Sequence, residues 1–558
     1  MINTKQDYPL SAILNCLITN SNQFILIPTV LLMKTNKMKK LFIIFIVLTN
    51  YSLAQTYTWA TSDSSYRSSW GARACLAKDS SGNLFVAYAP LNYSYSANAI
   101  YIIKYDLNHN RLWTQTVSAL GIGECGIAIC TDISGNVYLT SIFNDSLFVG
   151  STMCASVSGG NMFLIKLNSQ GVFQWVKNST GSSGSAIGIS LSTDVQNNIY
   201  LAGRVNENAY FDGIYMSNPS CFAYIAKYNA SGSLLWIKGI SAGYGFPKIK
   251  TDIAGNTYMA GTFNYTTHFD NISITASDPY SDGSPDIYIA KIDSSGNWLW
   301  AIRSGGVGQD ELADFNIDAQ NNLYVTGYSE SPTAMFGSIT TTNTTGGDYY
   351  FAAKYDSNGN AIWAISGGGP NSFGYGICGD KQGNAYLSHS SSFISKYDNA
   401  GNLLWLQSKP AAANIDMLAD DSGSVYIVGF QNTASFDSFS FTPNQAGMFV
   451  AELYDPPEIT TNIKGKENNI DISVYPNPAT NIITVSIQSS FPKESFTLKV
   501  TNTLSQIVHF ETIKDITGSC IKQIDLSYLP KGFYFVELQS SSLDSSQKKS
   551  EVKKIVLQ

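Results

Sequence analysis

Positive charge and histidine are scarce in this chain. Only five of its 558 residues are arginine and four are histidine, Lys and Arg together number 34 against 41 Asp and Glu, and the formal net charge is −7. No basic face is available to neutralise a phosphate backbone, which argues against nucleic acid as a partner. His109, His268, His389 and His509 share no motif, so neither a histidine metal cluster nor a catalytic triad is written in the sequence, and the four read as solvated loop residues. P-loop, nucleophile-elbow and dinucleotide fingerprints are missing too. Charged residues make up 13% of the chain, about half the usual share. What takes their place is Gly, Ser, Thr, Asn, Tyr and Val, a composition suited to strands joined by tight turns.

Long apolar runs are lacking as well. Met38, Lys39 and Lys40 precede "LFIIFIVL", and "SLA" ends at Ala54. Eight apolar residues are too few to anchor a chain across a bilayer, but a charged start, an apolar stretch and a small-residue end make a secretory signal peptide. Residues 38–54 are therefore expected to be cleaved between Ala54 and Gln55, leaving no transmembrane segment in the mature chain. Residues 1–37 carry neither repeat nor cap and read as a start called too early, or as a leader extension. Seven cysteines follow the signal: Cys75, Cys125, Cys130, Cys154, Cys221, Cys378 and Cys520. An odd number without a CxxC spacing indicates neither a zinc site nor a disulfide framework, and Cys75, Cys130 and Cys378 read as buried, inert thiols.

Repetition is what the sequence has in abundance. An Asp, a turn and an aromatic six residues on recur as "DSSGNLF", "DISGNVY", "DVQNNIY", "DIAGNTY", "DAQNNLY", "DKQGNAY" and "DDSGSVY", beginning at Asp79, Asp132, Asp194, Asp252, Asp318, Asp380 and Asp420. Asp hydrogen-bonds backbone amides ahead of it, and Gly or Asn three residues later enters the left-handed region cheaply. The alternation that follows, as in "NVYLTS", predicts a half-buried strand. A second motif runs from Lys104, Lys166, Lys227, Lys291, Lys354 and Lys396 to Trp113, Trp175, Trp236, Trp300, Trp363 and Trp405, nine residues each time. Gly stands five after the lysine in five copies, and His109 replaces it in the first.

Two hairpins per repeat predict four-stranded units, and seven units predict a β-propeller. The seventh copy, "MFVAELYDPPE", has Glu452 at the lysine position and stops at two prolines before any tryptophan. The strand around Trp59 lacks a hairpin partner of its own. Pairing it with residues 448–454 would close the ring and remove an open edge. Trp59 then joins the six others as a structural blade tryptophan, filling the space between neighbouring blades. A tryptophan in this setting also occurs in pyrroloquinoline quinone dehydrogenases, but their Thr-Gly turn and adjacent cysteine pair are missing here, so that cofactor is not expected.

The stretch "DAQNNLYVTGYSESPTAMFGSITTTNTTGGDYYFAAKYDSNGNAIWAISGGG" resembles the bacterial β-propeller repeats of the SBBP type, over roughly residues 55–455. The resemblance implies a fold and an extracellular or envelope setting, not a reaction. After Tyr454 the polar, proline-bearing "DPPEITTNIKGKENN" reads as a linker over 456–469. Residues 470–558 show strand-length alternating runs, about seven short strands in a small Ig-like β-sandwich. Tyr475-Pro476-Asn477-Pro478, "LSYLPKGFY" and Lys553-Lys554-Ile555-Val556 make this segment closely resemble the type A sorting domain of the type IX secretion system of Bacteroidetes. That resemblance implies the secretion machinery as a partner and a secreted or outer-membrane-surface destination by way of the periplasm. The fold expected overall is all-β, a seven-bladed propeller closed by an N-terminal strand and followed by the sandwich.

Chemistry is harder to read. "SDPYSDGSPD" holds Asp278, Asp282 and Asp286, and "GGVGQDELADF" holds Asp310, Glu311 and Asp314. Such loops raise the question of calcium, yet the alternate-residue pattern of a dedicated calcium loop is missing, and no cofactor is expected. The turns are short and alike, whereas the links between second and third strands vary and carry exposed-looking aromatics: Tyr93, Tyr95, Phe211, Tyr265 and Tyr280. Recognition is therefore expected on that rim, with Tyr265 and Tyr280 against a glycan or protein ligand. A non-catalytic binding or adhesion scaffold is the favoured reading. A polysaccharide hydrolase or lyase using loop carboxylates, and a structural envelope protein, stand as alternatives.

Overall fold

The computed structural model describes residues 56–557 except 64–72, 90–96, 123–125, 182–185, 206–207, 217–221, 242–244, 279–283, 344–345, 370, 391–392, 409–412, 421, 432–434, 437–438, 441–446, 456–469, 478, 503–505 and 541–549. The signal peptide with Ala54 and Gln55, the preceding segment, the linker, Cys125, Cys221, Tyr93, Tyr95, Tyr280 and Asp282 lie outside the described residues. Every regular element among the described residues is a β-strand, and the repeats fold as a β-propeller.

Each repeat forms four consecutive antiparallel strands. Blade 1 runs Arg73–Lys78, Leu84–Ala89, Ala97–Tyr105 and Arg111–Ile122. Blades 2 to 6 follow with first strands Ala128–Thr131, Ala186–Thr193, Lys248–Thr251, Asp310–Ile317 and Gly374–Gly379. In blade 7 the strands Ala413–Ala419, Ser424–Gln431 and Gly447–Tyr454 are joined by Thr56–Asp63, which pairs from Thr56 with Tyr454 to Asp63 with Met448. The first strands contact one another in order, and that of blade 7 contacts that of blade 1.

Cores lie between blades rather than within them. Blades 3 and 4 share Tyr200, Ile225, Ile249 and Met259. Blades 7 and 1 share Val428, Val450, Val86 and Tyr88. Because a neighbour covers each face, second strands such as Leu84–Ala89 and Thr257–Phe263 are buried throughout. The alternation in sequence had suggested half-buried strands; neighbour packing overrides it.

Both hairpin turns follow from their sequence. Asp132 Oδ1 accepts the amides of Ser134 and Asn136, while Oδ2 accepts the Asn136 side chain and the Tyr138 hydroxyl. Asp194 and Asp318 repeat all four bonds. The residue three after the Asp has positive φ whether it is Gly135 or Asn197.

Among the described residues the C-terminal segment has five strands, against the seven expected. Two are long, Ile482–Asn502 and Ile507–Asp525, and the two halves of the first have different neighbours. Residues 482–489 pair with Ile470–Tyr475 and with 518–525. Residues 496–502 pair with 507–513 and with Gly532–Ser540, which in turn pairs with Ser550–Leu557. Ile483, Val485, Leu498, Val500, Val536 and Ile555 fill a single core.

Candidate functional site

The lysine and tryptophan of the second motif sit opposite each other on paired strands, as Lys227 with Trp236, and both reach into the next blade. Lys227 Nζ and Trp236 Nε1 donate to the same carbonyl, that of Ser294, at 3.0 and 3.2 Å. Lys104 and Trp113 share the Ser169 carbonyl likewise. The lysine also lies over its own blade's aromatic, 4.9 Å from the Tyr200 ring centroid for Lys227, and 3.5 Å from Asp194. Five of the indoles pack on the turn glycine of the following blade: a Cβ on Gly401 would lie 2.8 Å from the Trp363 ring, and one on Gly171 3.0 Å from Trp113. These glycines therefore answer both to a positive φ and to a neighbouring ring. The tryptophans are clasps between blades.

The opposite face is built differently. Four links between second and third strands form extra two-stranded hairpins: Ala209–Phe211 with Ile214–Met216, Thr266–Phe269 with Ile272–Thr275, Thr333–Phe336 with Ile339–Thr342, and Ser435–Phe436 with Phe439–Ser440. Each buries one phenylalanine: Phe211 against Tyr224, Phe269 against Tyr288, Phe336 against Phe351, and Phe436 against Phe449. Phe211 is thus core, not rim, since its strand alternates and its neighbours face outward. The hairpins bind the outer strand of the preceding blade, by Thr180 and Tyr210 backbone bonds, by Lys177 with Asp212, and by Lys238 with Asp270. A phenylalanine followed by a two-residue turn, "FDG", "FDN", "FGS" or "FDS", is the sequence signal for them.

Aromatics do remain exposed on this face. Tyr265 is 55% exposed, with positive φ and its carbonyl accepting the Ala276 amide. Tyr210 and Tyr215, which sequence reasoning passed over, stand as an exposed cross-strand pair with ring centroids 5.0 Å apart. Exposed Ile214 lies beside them, and the Lys177–Asp212 pair is at the same hairpin.

The loop carboxylates separate into three settings. Asp286 and Asp310 come together at the boundary of blades 4 and 5, around Gly305: a Cβ there would clash with Asp286 Oδ1 and lie 2.8 Å from Asp310 Oδ2. Both are buried, at 0% and 1% exposure. Asp286 Oδ2 takes bonds from the Ser277 amide and from Arg303, and Asp310 from Ser329, Ser331 and the Gly306 amide. Burial pushes Asp286 up to about 6, with the Asp310 charge adding to it and Arg303 opposing it. Asp310 is raised by burial as well. Asp314 lies elsewhere, on the inner ring, where it accepts the Ile377 amide; burial, opposed by Lys248 and reinforced by Asp416, pushes it up to about 6. Glu311 is only partly buried, beside Tyr328. Among the described residues no group of three or more His, Cys, Asp or Glu is arranged to hold a metal ion.

Two histidines are not solvated. His109 stacks on Trp59, and His389 is buried on Tyr350 at 4.7 Å between centroids. His268 is exposed and bonds Ser273, and His509 lies in the C-terminal segment. Burial pushes the thiols of Cys75, Cys130 and Cys378 well above the usual range.

The chain thus joins a β-propeller to a C-terminal five-stranded sheet. Residues 473–558 match the family described as the secretion system C-terminal sorting domain, and the C-terminal segment is such a domain. That domain marks the chain for export to the cell surface or beyond. The chain is 24% identical, over 62% of its length, to an uncharacterized WD repeat-containing protein of Acanthamoeba polyphaga mimivirus, of whose length it spans 32%. Among solved structures it resembles the Dos1 propeller, at 8% identity and TM-score 0.37, covering 72% of this chain and 95% of that one. It also resembles PorZ, a bacterial surface component of the type IX secretion system of Porphyromonas gingivalis, at 12% identity and TM-score 0.24, covering 87% and 70%.

Proposed function

We propose that the chain is a non-catalytic binding scaffold, an SBBP-type propeller of seven blades in residues 55–455, carried to the cell surface by an Ig-like sorting domain in residues 470–558. The seven runs of four successively paired strands, with the pairing of Thr56–Asp63 with Gly447–Tyr454 completing the last, support the blade count. The observation that carries the binding reading is the exposed tyrosine pair of the 209–216 hairpin, with Tyr265 on the next one. Flat aromatic faces beside one ion pair suit a neutral or weakly charged glycan, since tyrosine loses little entropy on contact. An enzymatic reading needs carboxylates that a substrate reaches, and Asp286 and Asp310 are covered.

A glycan array probed with the full exported chain would supply the ligand, and calorimetry then compares three variants. Tyr210→Ala/Tyr215→Ala is expected to weaken binding about tenfold or more, in line with loss of a central aromatic anchor, and Tyr265→Ala by less. Ser294→Ala/Ser357→Ala on the turn face is expected to leave it unchanged. Equal losses from both faces would reject the hairpin rim as the site.

A further inference from the structure

The repeat rule is broken on both sides of blade 7, and each broken position is chemically answered. In blade 7 Glu452, not lysine, stands opposite the tryptophan, here Trp59. In the following turn His109, not glycine, holds the left-handed position, with φ 62°. The two replacements meet. His109 Nε2 lies 3.3 Å from Glu452 Oε2, and the imidazole stacks on Trp59 with centroids 4.3 Å apart and planes 7° from parallel. Glu452 is held in place by Tyr426, whose hydroxyl donates at 3.1 Å, and by Thr58, whose hydroxyl donates at 2.6 Å. On the other side of blade 7, Asp455 supplies the acceptor that a second turn would have offered. Its carboxylate accepts Trp405 Nε1 at 3.2 Å and the Tyr386 hydroxyl at 2.9 Å, and pairs with Lys396.

We infer that the junction of blades 7 and 1 is a pH-sensitive latch, in which protonation of His109 against Glu452 and Trp59 tightens the hold on the N-terminal strand that closes the ring. At the other junctions the clasp is a lysine, which stays charged across the physiological range. An imidazole changes charge near neutrality. Its cationic form gains attraction to the carboxylate and to the face of the indole; the indole arrives only with Thr56–Asp63, and Thr58 of the same strand donates to Glu452 on the neighbouring strand Gly447–Tyr454. Proton binding and closure therefore favour each other. Closure is tighter on the acid side and loosens as the imidazole gives up its proton. The other charged or titratable groups here are Asp106 of the same turn, which His109 influences, Tyr426, whose ring meets His109 edge-on, and Lys78 with Asp420, of which Lys78 lies over the Tyr426 ring. None of these changes charge between pH 5.5 and 8 in the way an imidazole does.

The test is amide hydrogen exchange of residues 56–63 in the full exported chain at pH 5.5 and 8.0. Rates are corrected for intrinsic exchange and referenced to blade 4 residues 286–292, which removes any global change. Protection of 56–63 is expected to be about two- to tenfold greater at pH 5.5, the range of a partly exposed ion pair with a cation–π contact. His109→Gly/Glu452→Lys restores the repeat's own residues, and it is expected to keep the strand docked with equal protection at both pH values. His109→Gln, which keeps the turn but not the charge, is expected to lose the pH ratio as well and serves if the double variant does not fold. Equal protection of the unmodified chain at both pH values, or an undiminished ratio in His109→Gln, would overturn the latch.

Discussion

The two faces of the propeller solve opposite problems with the same four strands. On the turn face the four buried lysines each have an opposite partner close by: Lys104 with Asp79, Lys227 with Asp194, Lys354 with Asp318 and Lys396 with Asp455. On the link face, at blades 4 and 5, two carboxylates share one buried space and a single guanidinium. Burial of a charge is costly unless it is paired. The turn face is thus a fastening, tolerant of little change. The link face keeps unlike hairpins, exposed tyrosines and a strained acid pair, the features of a surface free to diverge around a fixed ring.

The largest expected effect tests the fastening at its weakest point. A chain beginning near residue 68 lacks Thr56–Asp63, so Gly447–Tyr454 becomes an open edge and Trp59 leaves the core of blades 7 and 1. The same strand carries Tyr57, which is buried, and loss of a buried aromatic alone costs about 3–5 kcal/mol. Calorimetry is expected to show a broadened, non-cooperative transition or aggregation. A sharp melt within a few degrees of the full chain would mean that closure is dispensable.

Lys354→Met is expected to come next. Lys354 is fully buried, donates to the Gly383 carbonyl at 2.8 Å and to Asn399, and is 4.0 Å from Asp318. Methionine fills much of the volume but leaves Asp318 without its cation, an expected loss of about 3–5 kcal/mol in denaturant melts. Lys177→Met, which breaks the exposed pair with Asp212 on the link face, is expected to cost less than about 1 kcal/mol. Comparable losses from the two would erase the contrast between the faces.

Much of the turn face was legible because its rules are local. Asp132 speaks to amides two and four residues away, and Lys227 and Trp236 are nine apart in one hairpin. Even ring closure was readable, since a strand with Trp59 and no partner matched a repeat with Glu452 and no tryptophan. The link face was not, for two reasons. Its hairpins announce themselves only by a phenylalanine and a two-residue turn at irregular intervals, so Phe211 passed for an exposed residue. Its acid pair joins Asp286, at the start of one blade's third strand, to Asp310, at the start of the next blade's first strand, a contact that only the stacking of blades creates. His109 was misread for a related cause: the groups its ring meets, Trp59 and Glu452, arrive from the two ends of the propeller.

The acid pair gives the smallest and most specific expectation. Asp286 holds its proton up to about pH 6, because burial disfavours the charged form and Asp310 lies across Gly305. In the unfolded chain the same carboxyl ionises near 3.8. Below that value both states are protonated and the group's contribution is fully present. As pH rises from about 4 to about 6 the unfolded state releases its proton first, so stability falls, and above 6 the loss levels off. Asp314, raised in the same direction on the inner ring, adds to the slope. The decline is expected to be on the order of 1–3 kcal/mol for Asp286, read from urea melts between pH 4 and 7. Asp286→Asn, which is neutral throughout and close in shape, is expected to remove its share of the slope and to be at least as stable as the parent at pH 7. Asp79→Asn on the turn face is expected to act the opposite way, lowering stability at pH 7, because it discharges a carboxylate that Lys104 needs. If Asp286→Asn leaves the slope intact, the pair at blades 4 and 5 is ionised in the folded chain, and both faces bury their charges by one rule.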